Sequence, residues 1–176
     1  MADNFVEIFC PACGKKMHKV FMSAQNLFLD VCLDGCGGIY FDNRELKKFD
    51  ENIEDISPLK NAYQGKTFKQ VDDNEMRVCP ICSTKMVKHY SSSKHEVQVD
   101  ECYACGGIFL DYNELETIRA EYSTELDRDL DAMKSLYSQV GSELRTSQET
   151  HSNLNDNSFL RKFVSNVVNN YNMNKK

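Results

Sequence analysis

Eight cysteines stand in four close pairs, and the pairs fall into two sets. Cys10-Pro11-Ala12-Cys13 is followed, after eighteen intervening residues, by Cys32-Leu33-Asp34-Gly35-Cys36. Cys79-Pro80-Ile81-Cys82 is followed, after nineteen, by Cys102-Tyr103-Ala104-Cys105. Two short turns that each present two thiolates can close on one tetrahedral ion, and this spacing suits turns carried on separate β-hairpins. Four soft thiolates suit zinc, which has no redox chemistry to manage and accepts tetrahedral geometry. A site with four protein ligands has no open position for water or substrate, so the chemistry expected is structural, not hydrolytic. Two such sets imply two Zn2+ ions per chain, in independent sites.

The repetition runs well beyond the thiols. Lys16, Met17, Gly37, Gly38, Ile39, Asp42, Glu45 and Leu46 recur 69 positions later as Lys85, Met86, Gly106, Gly107, Ile108, Asp111, Glu114 and Leu115. One extra residue in the second hairpin cancels one extra residue in the turn Cys32–Cys36, as loop insertions in a duplicated fold do. Each repeat covers only about forty residues, a size at which an apolar core rarely suffices without metal or disulfides. The start Met-Ala-Asp-Asn shows neither a basic segment nor an apolar run, so a cytoplasmic setting with reduced cysteines is expected. Disulfides are the plain alternative.

Around the thiols, local signals sketch the elements that must hold them. Residues 5–9 suit a strand running into the first cysteine turn, and 19–22 with 27–31 read as a hairpin. In the second repeat 87–90 pairs with 96–100, where Val97 and Val99 alternate with Gln98 and Asp100. The paired glycines after Cys36 and Cys105 would let the chain pass close to the sulfurs and aim amide N–H groups at them. A short apolar strand follows (Ile39-Tyr40-Phe41, Ile108-Phe109-Leu110), then an Asp with a Glu three positions on, which reads as a helix-capping box and not as a catalytic acid pair. The domains expected are a ribbon over 1–50, a polar linker over 51–76, a second ribbon over 77–120 and an amphipathic helix over 121–141. A flexible linker over 142–157 and an amphipathic helix over 158–176 complete the chain. Leu126, Leu130, Met133, Tyr137 and Val140 form a two-heptad stripe expected to pack on the second ribbon, and Gly141 reads as the helix stop. His18, His89, His95 and His151 do not recur at equivalent positions and read as ordinary residues.

The formal net charge is −6. Two four-thiolate zinc sites would take it to roughly −10. The second repeat (79–119) holds six acids against four basic residues, and only the stretch from 141 onward is basic. Nucleic-acid binding draws on a basic surface that displaces counterions from phosphates, so this balance disfavours it as the main role. No Ser/His/Asp grouping, phosphate-cradling glycine loop or zinc-hydrolase motif stands out, and no enzymatic activity is expected.

C-P-x-C, a hairpin, and then C-x(2–3)-C-G-G-I-[YF]-[FL]-D-x-x-E-L resembles the TFIIB-type transcription-factor zinc-ribbon family, twice, over residues 8–50 and 77–119. The resemblance implies a small metal-stabilised α+β fold of two tandem zinc ribbons followed by C-terminal amphipathic helices. It also implies Cys10, Cys13, Cys32 and Cys36 on one metal, and Cys79, Cys82, Cys102 and Cys105 on the other. Ser83 departs from it where the family has glycine, and the turn after Cys32 is longer. Fold does not fix function. A protein-interaction scaffold is the first reading, with a protein partner or self-association through the C-terminal helices. A nucleic-acid or transcription-associated factor is the second, using Lys15, Lys16, Lys19, Arg44, Lys47 and Lys48. A rubredoxin-like iron electron carrier or metal sensor is the third, though the turn Cys32–Cys36 breaks the symmetrical iron pattern.

Overall fold

Two apolar strands of three residues each are too short to be stable alone, and their pairing sets the architecture. The computed structural model describes residues 7–150. Its strands are β1 (His18–Met22), β2 (Leu27–Val31), β3 (Ile39–Phe41), β4 (Val87–Tyr90), β5 (Gln98–Glu101) and β6 (Ile108–Leu110). They form one antiparallel sheet in the order β1-β2-β3-β6-β5-β4. At its centre Ile39 faces Leu110, Tyr40 faces Phe109 and Phe41 faces Ile108. Tyr40 and Phe109 are repeat equivalents, so the two ribbons meet about a pseudo-twofold axis through that pair. The expectation of two independent modules is therefore corrected: the ribbons share a sheet.

Being central, β3 and β6 bury both faces, which explains their unbroken apolar sequence. Ile39, Phe41 and Leu110 face one core with Met22, Leu29, Phe49, Val99, Leu115 and Ile118. Tyr40 and Phe109 face the other way, into a second cluster with Ile8, Met17, Met86 and the cysteines. One face of the sheet thus carries the apolar core and the other carries the thiols. Strand alternation does this without any special device.

The segment expected as a polar linker over 51–76 is part of the body. Helix α1 (Ser57–Tyr63) starts with proline in its first turn and buries Leu59, and Ile56 just before it joins the same core. Tyr63 then donates a hydrogen bond to the carbonyl of Gly37 at 2.6 Å, and the Lys69 amide donates to Gly35 O at 3.0 Å. Two or three apolar residues in a polar run carry too little periodicity to announce such docking. Residues 5–9 also differ from expectation. Phe9 makes only an isolated bridge to Lys16, and 1–6 lie outside the described residues.

The capping box is present in half. Glu45 Oε2 accepts from the Asp42 amide at 3.0 Å, and Glu114 Oε2 from the Asp111 amide at 2.7 Å. Neither following helix has a side-chain cap from Asp: the first is a single 3-10 turn (Leu46–Lys48), the second is α2 (Glu114–Glu121). The residues between, Arg44 and Asn113, are left-handed with φ of 68° and 70°, and this turns the Asp side chain away from the helix start. Asp111 instead pairs with Arg77 at 2.9 Å.

Helix α3 runs Glu125–Thr150, straight through Gly141. A glycine inside a helix costs about 1 kcal/mol relative to alanine, which good helix formers such as Glu143, Leu144 and Arg145 offset. Among the described residues, those up to Met133 belong to one compact unit and those from Lys134 to another. Within the first unit Arg128 pairs with Asp50, and Tyr122 donates to Asp131 at 2.8 Å. On α3, Leu126 (41%) and Met133 (43%) in the first unit, and Leu136 (61%), Tyr137 (41%) and Val140 (43%) in the second, are exposed large apolar residues. The helix expected over 158–176 and most of the linker before it lie outside the described residues.

Candidate metal centres

Each cysteine pair lies on a tight turn closed by a backbone hydrogen bond from the residue after the second cysteine: the Gly14 amide to Cys10 O at 2.9 Å, and the Ser83 amide to Cys79 O at 2.9 Å. The second pairs sit on the turns leaving β2 and β5, closed by Gly37 N–H to Cys32 O at 3.0 Å and Gly106 N–H to Cys102 O at 2.7 Å. Gly14 and Ser83 occupy the same left-handed conformation, φ 69° and 59°. A side chain there costs about 1–2 kcal/mol, so Ser83→Gly should raise stability by about 1 kcal/mol. Thermal denaturation of the metal-loaded protein, with both ions retained, checks this.

The folding brings all eight expected ligands into two groups, Cys10/Cys13/Cys32/Cys36 and Cys79/Cys82/Cys102/Cys105. Within each, the sulfurs lie within 4.8 Å of one another. Cys10 and Cys36 Sγ are 3.4 Å apart, as are Cys13 and Cys32; Cys79–Cys105 is 3.6 Å and Cys82–Cys102 is 3.3 Å. A tetrahedral ion with sulfurs at about 2.3 Å spaces them about 3.8 Å apart, so both groups fit one ion each with only slight expansion. All eight cysteines are free, and these separations are well beyond the roughly 2.05 Å of a disulfide.

Backbone amides point at these sulfurs, as the glycine-rich turns suggest. Cys10 accepts from Ala12, Cys36 from Gly38, Cys79 from Ile81 and Cys82, and Cys102 from Ala104 and Cys105. The thiols compete for charge. Hydrogen bonding, first with Cys10, pulls Cys32 down to about 2, while the bond to Cys32 pushes Cys10 well above the ordinary thiol value. Hydrogen bonding with the Thr84 hydroxyl pulls Cys82 down to about 6, and burial pushes Cys102 up to about 12. Four crowded sulfurs cannot all ionise against one another, and a dication at their centre relieves that conflict while releasing protons.

The two groups differ in exposure. Cys10, Cys32 and Cys36 are buried with Cys13 half-buried, whereas in the second group Cys82 is exposed and Cys105 half-buried. The connector accounts for part of this. Phe68, Tyr63 and Tyr112 form an aromatic trio with centroids 4.7–5.5 Å apart beside Gly37.

The paired glycines serve a purpose that spacing did not reveal. A Cβ on Gly38 would lie 2.3 Å from Phe109 Cζ, and one on Gly107 would lie 1.8 Å from Tyr40 Oη. A Cβ on Gly37 would meet Phe68 of the connector at 2.7 Å and Tyr112 at 2.9 Å, and one on Gly106 would meet Asn43 at 2.7 Å. Tyr112 and Asn43 are again repeat equivalents. Each ribbon's glycine pair is therefore the bed for the other ribbon's central strand and the turn after it.

The remaining candidates are engaged with other side chains. His18 pairs with Asp34 at 2.7 Å, His89 with Glu101 at 2.8 Å, and His95 stacks on Tyr90; His151 is outside the described residues. Sequence reasoning missed Arg77, which is 1% exposed, pairs with Asp111 and lies 5.7 Å from the Phe109 ring centroid. Its repeat counterpart is Ile8, so nothing in the repeat pattern marked it. A pair of cross-strand bridges was also missed: Lys19–Asp30 and Lys88–Asp100, both at 3.0 Å and at matching positions in the two ribbons. Glu114 is buried enough to push its pKa up to about 7.

Comparison with known proteins bears on the two halves separately. A family model described as transcription factor zinc-finger, of the TFIIB zinc-ribbon type, matches residues 9–51 and again 78–121. No curated protein and no solved structure matches.

Proposed function

We propose that the chain, whose residues 9–51 and 78–121 each match a TFIIB-type zinc-ribbon model, binds two zinc ions structurally and works without catalysis, as a scaffold for another protein. The observation that carries the scaffold reading is the open apolar face of α3. Leu126, Met133, Tyr137 and Val140 are each about two-fifths exposed, and Leu136 more than half. Burying each on a partner would contribute about 1.5–3 kcal/mol. Leu126, Met133 and Val140 lie seven residues apart, a heptad step that suits the apolar face of a partner helix. Zinc suits the sites because four soft thiolates fill a tetrahedral shell, which its filled d shell accepts without preference.

A nucleic-acid-associated role is the second reading, favoured by the family match. Charge weighs against it, since Lys16 pairs with Glu7 at 2.5 Å and Lys19 with Asp30 at 3.0 Å. Cations already matched by carboxylates contribute little to counterion release.

Elemental analysis and native mass spectrometry should give two zincs per chain; a red, iron-loaded protein would turn the assignment to electron transfer. In the variant Leu136→Lys/Val140→Lys both zincs should remain while association, followed by sedimentation and affinity capture, is lost. Unchanged association, with tight nucleic-acid binding at physiological salt, would move the assignment to the second reading.

A further inference from the structure

We propose that Tyr40, a residue of the first ribbon, is the outer hydrogen-bond partner of the metal held by the second, so that only one of the two centres depends on its neighbour. The inference rests on the zinc reading of the thiols. Tyr40 Oη lies 3.3 Å from Cys79 Sγ and 3.6 Å from Cys105 Sγ. Those two sulfurs are 3.6 Å apart, so the hydroxyl sits astride one edge of the ligand tetrahedron. The side chain is 1% exposed, and Gly107 keeps its place clear. Metal-bound thiolates carry no proton, so the hydroxyl donates and the sulfurs accept. A donor at that edge spreads thiolate charge and fixes ligand direction, as outer partners of metal ligands do.

The pseudo-twofold axis supplies the comparison. Phe109 is the equivalent residue and its ring lies on Gly38 beside the first centre, fully buried, but it has no hydroxyl to offer. The first centre, with three buried ligands, thus receives apolar cover from the second ribbon. The second centre, with an exposed Cys82, receives apolar cover and a hydrogen bond from the first. The consequence is an order of assembly: the second centre reaches full affinity only after β3 has docked, and β3 docks only on a folded first ribbon.

The test uses the full zinc-loaded chain. In Tyr40→Phe, a change the repeat itself shows to be compatible with the fold, one zinc should be held about 10–100-fold more weakly against a chelator while the other is unchanged. Cadmium substitution gives an independent readout, because the metal's resonance responds to hydrogen bonding at its thiolates. Only the second-ribbon resonance should move in Tyr40→Phe. In Phe109→Tyr, which brings a hydroxyl toward the Cys10/Cys36 edge, only the first-ribbon resonance should move. Wild-type retention of both zincs with no resonance shift overturns the proposal. Equal weakening of both centres in Tyr40→Phe also overturns it, since that reports a loosened sheet and not a lost donor. A wild-type protein holding no metal would remove the zinc reading itself, a result visible before any variant is made.

Discussion

Replacing Cys36 with serine is expected to open both ribbons. A structural zinc contributes on the order of 10–16 kcal/mol of apparent binding free energy, against about 5–15 kcal/mol for the whole stability of a domain. A ribbon of about forty residues that loses it has no core large enough to remain folded. Sequence reasoning alone predicts that the damage stays in the mutated ribbon. The shared sheet predicts otherwise, because losing β3 uncovers β6 at Ile108–Leu110 and withdraws Tyr40 from Cys79 and Cys105. Amide exchange in Cys36→Ser should therefore show lost protection across β1–β3 and a clear fall across β5 and β6, with faster zinc release from the second centre. Wild-type protection of β5 and β6 would show that the second ribbon stands alone.

The second large effect is expected at a glycine. Gly107→Ala places a methyl group 1.8 Å from Tyr40 Oη and 2.5 Å from its Cζ, at a ring that is almost wholly buried. Overpacking of this kind typically costs about 1–3 kcal/mol, and expelling a buried aromatic ring about 3–5 kcal/mol. We expect about 3 kcal/mol, read from urea denaturation of the zinc-loaded protein. The diagnostic is a double-mutant cycle with Tyr40→Ala. Once the ring is gone the added methyl has room, so the two changes together should cost about 1–3 kcal/mol less than their sum. Strict additivity would mean that Gly107 is needed for its backbone and not for the neighbouring ribbon.

How much of this was legible beforehand depends on how far apart the cause and its effect lie in the chain. Each cysteine turn is decided within a few residues, and the partner turn lies only one hairpin away, so all eight ligands and their grouping could be read directly. The glycine pairs were legible as necessary but not for the main reason. Amides do point at the sulfurs, yet the closest contacts at Gly38 and Gly107 come from Phe109 and Tyr40 of the opposite ribbon. Ile56 and Leu59 sat in a polar stretch with no periodic partner, so their place in the core was invisible. Arg77 was hidden because burying an arginine depends on Asp111 and Asp100, which the chain supplies only after the second hairpin has formed. The stripe on α3 was legible in its spacing, but spacing does not say which surface covers it.

Residue order alone settles the local chemistry here: thiolates at turn spacing, apolar residues at strand period, and a duplicated motif that makes two equivalent units. Which strand lies beside which was settled only in three dimensions. Ile39-Tyr40-Phe41 ends its own ribbon with an open edge, and by symmetry its best partner is Ile108-Phe109-Leu110, whether in the same chain or another. The connector decides in favour of the same chain. It folds into α1, buries Ile56 and Leu59 and grips the first centre through Tyr63 and Lys69, so the second ribbon is held within reach of the first. Closing a loop of that length costs only a few kcal/mol of chain entropy. The paired strands, two apolar faces and interlocked aromatic rings outweigh that cost, and none of them exists until both ribbons are present.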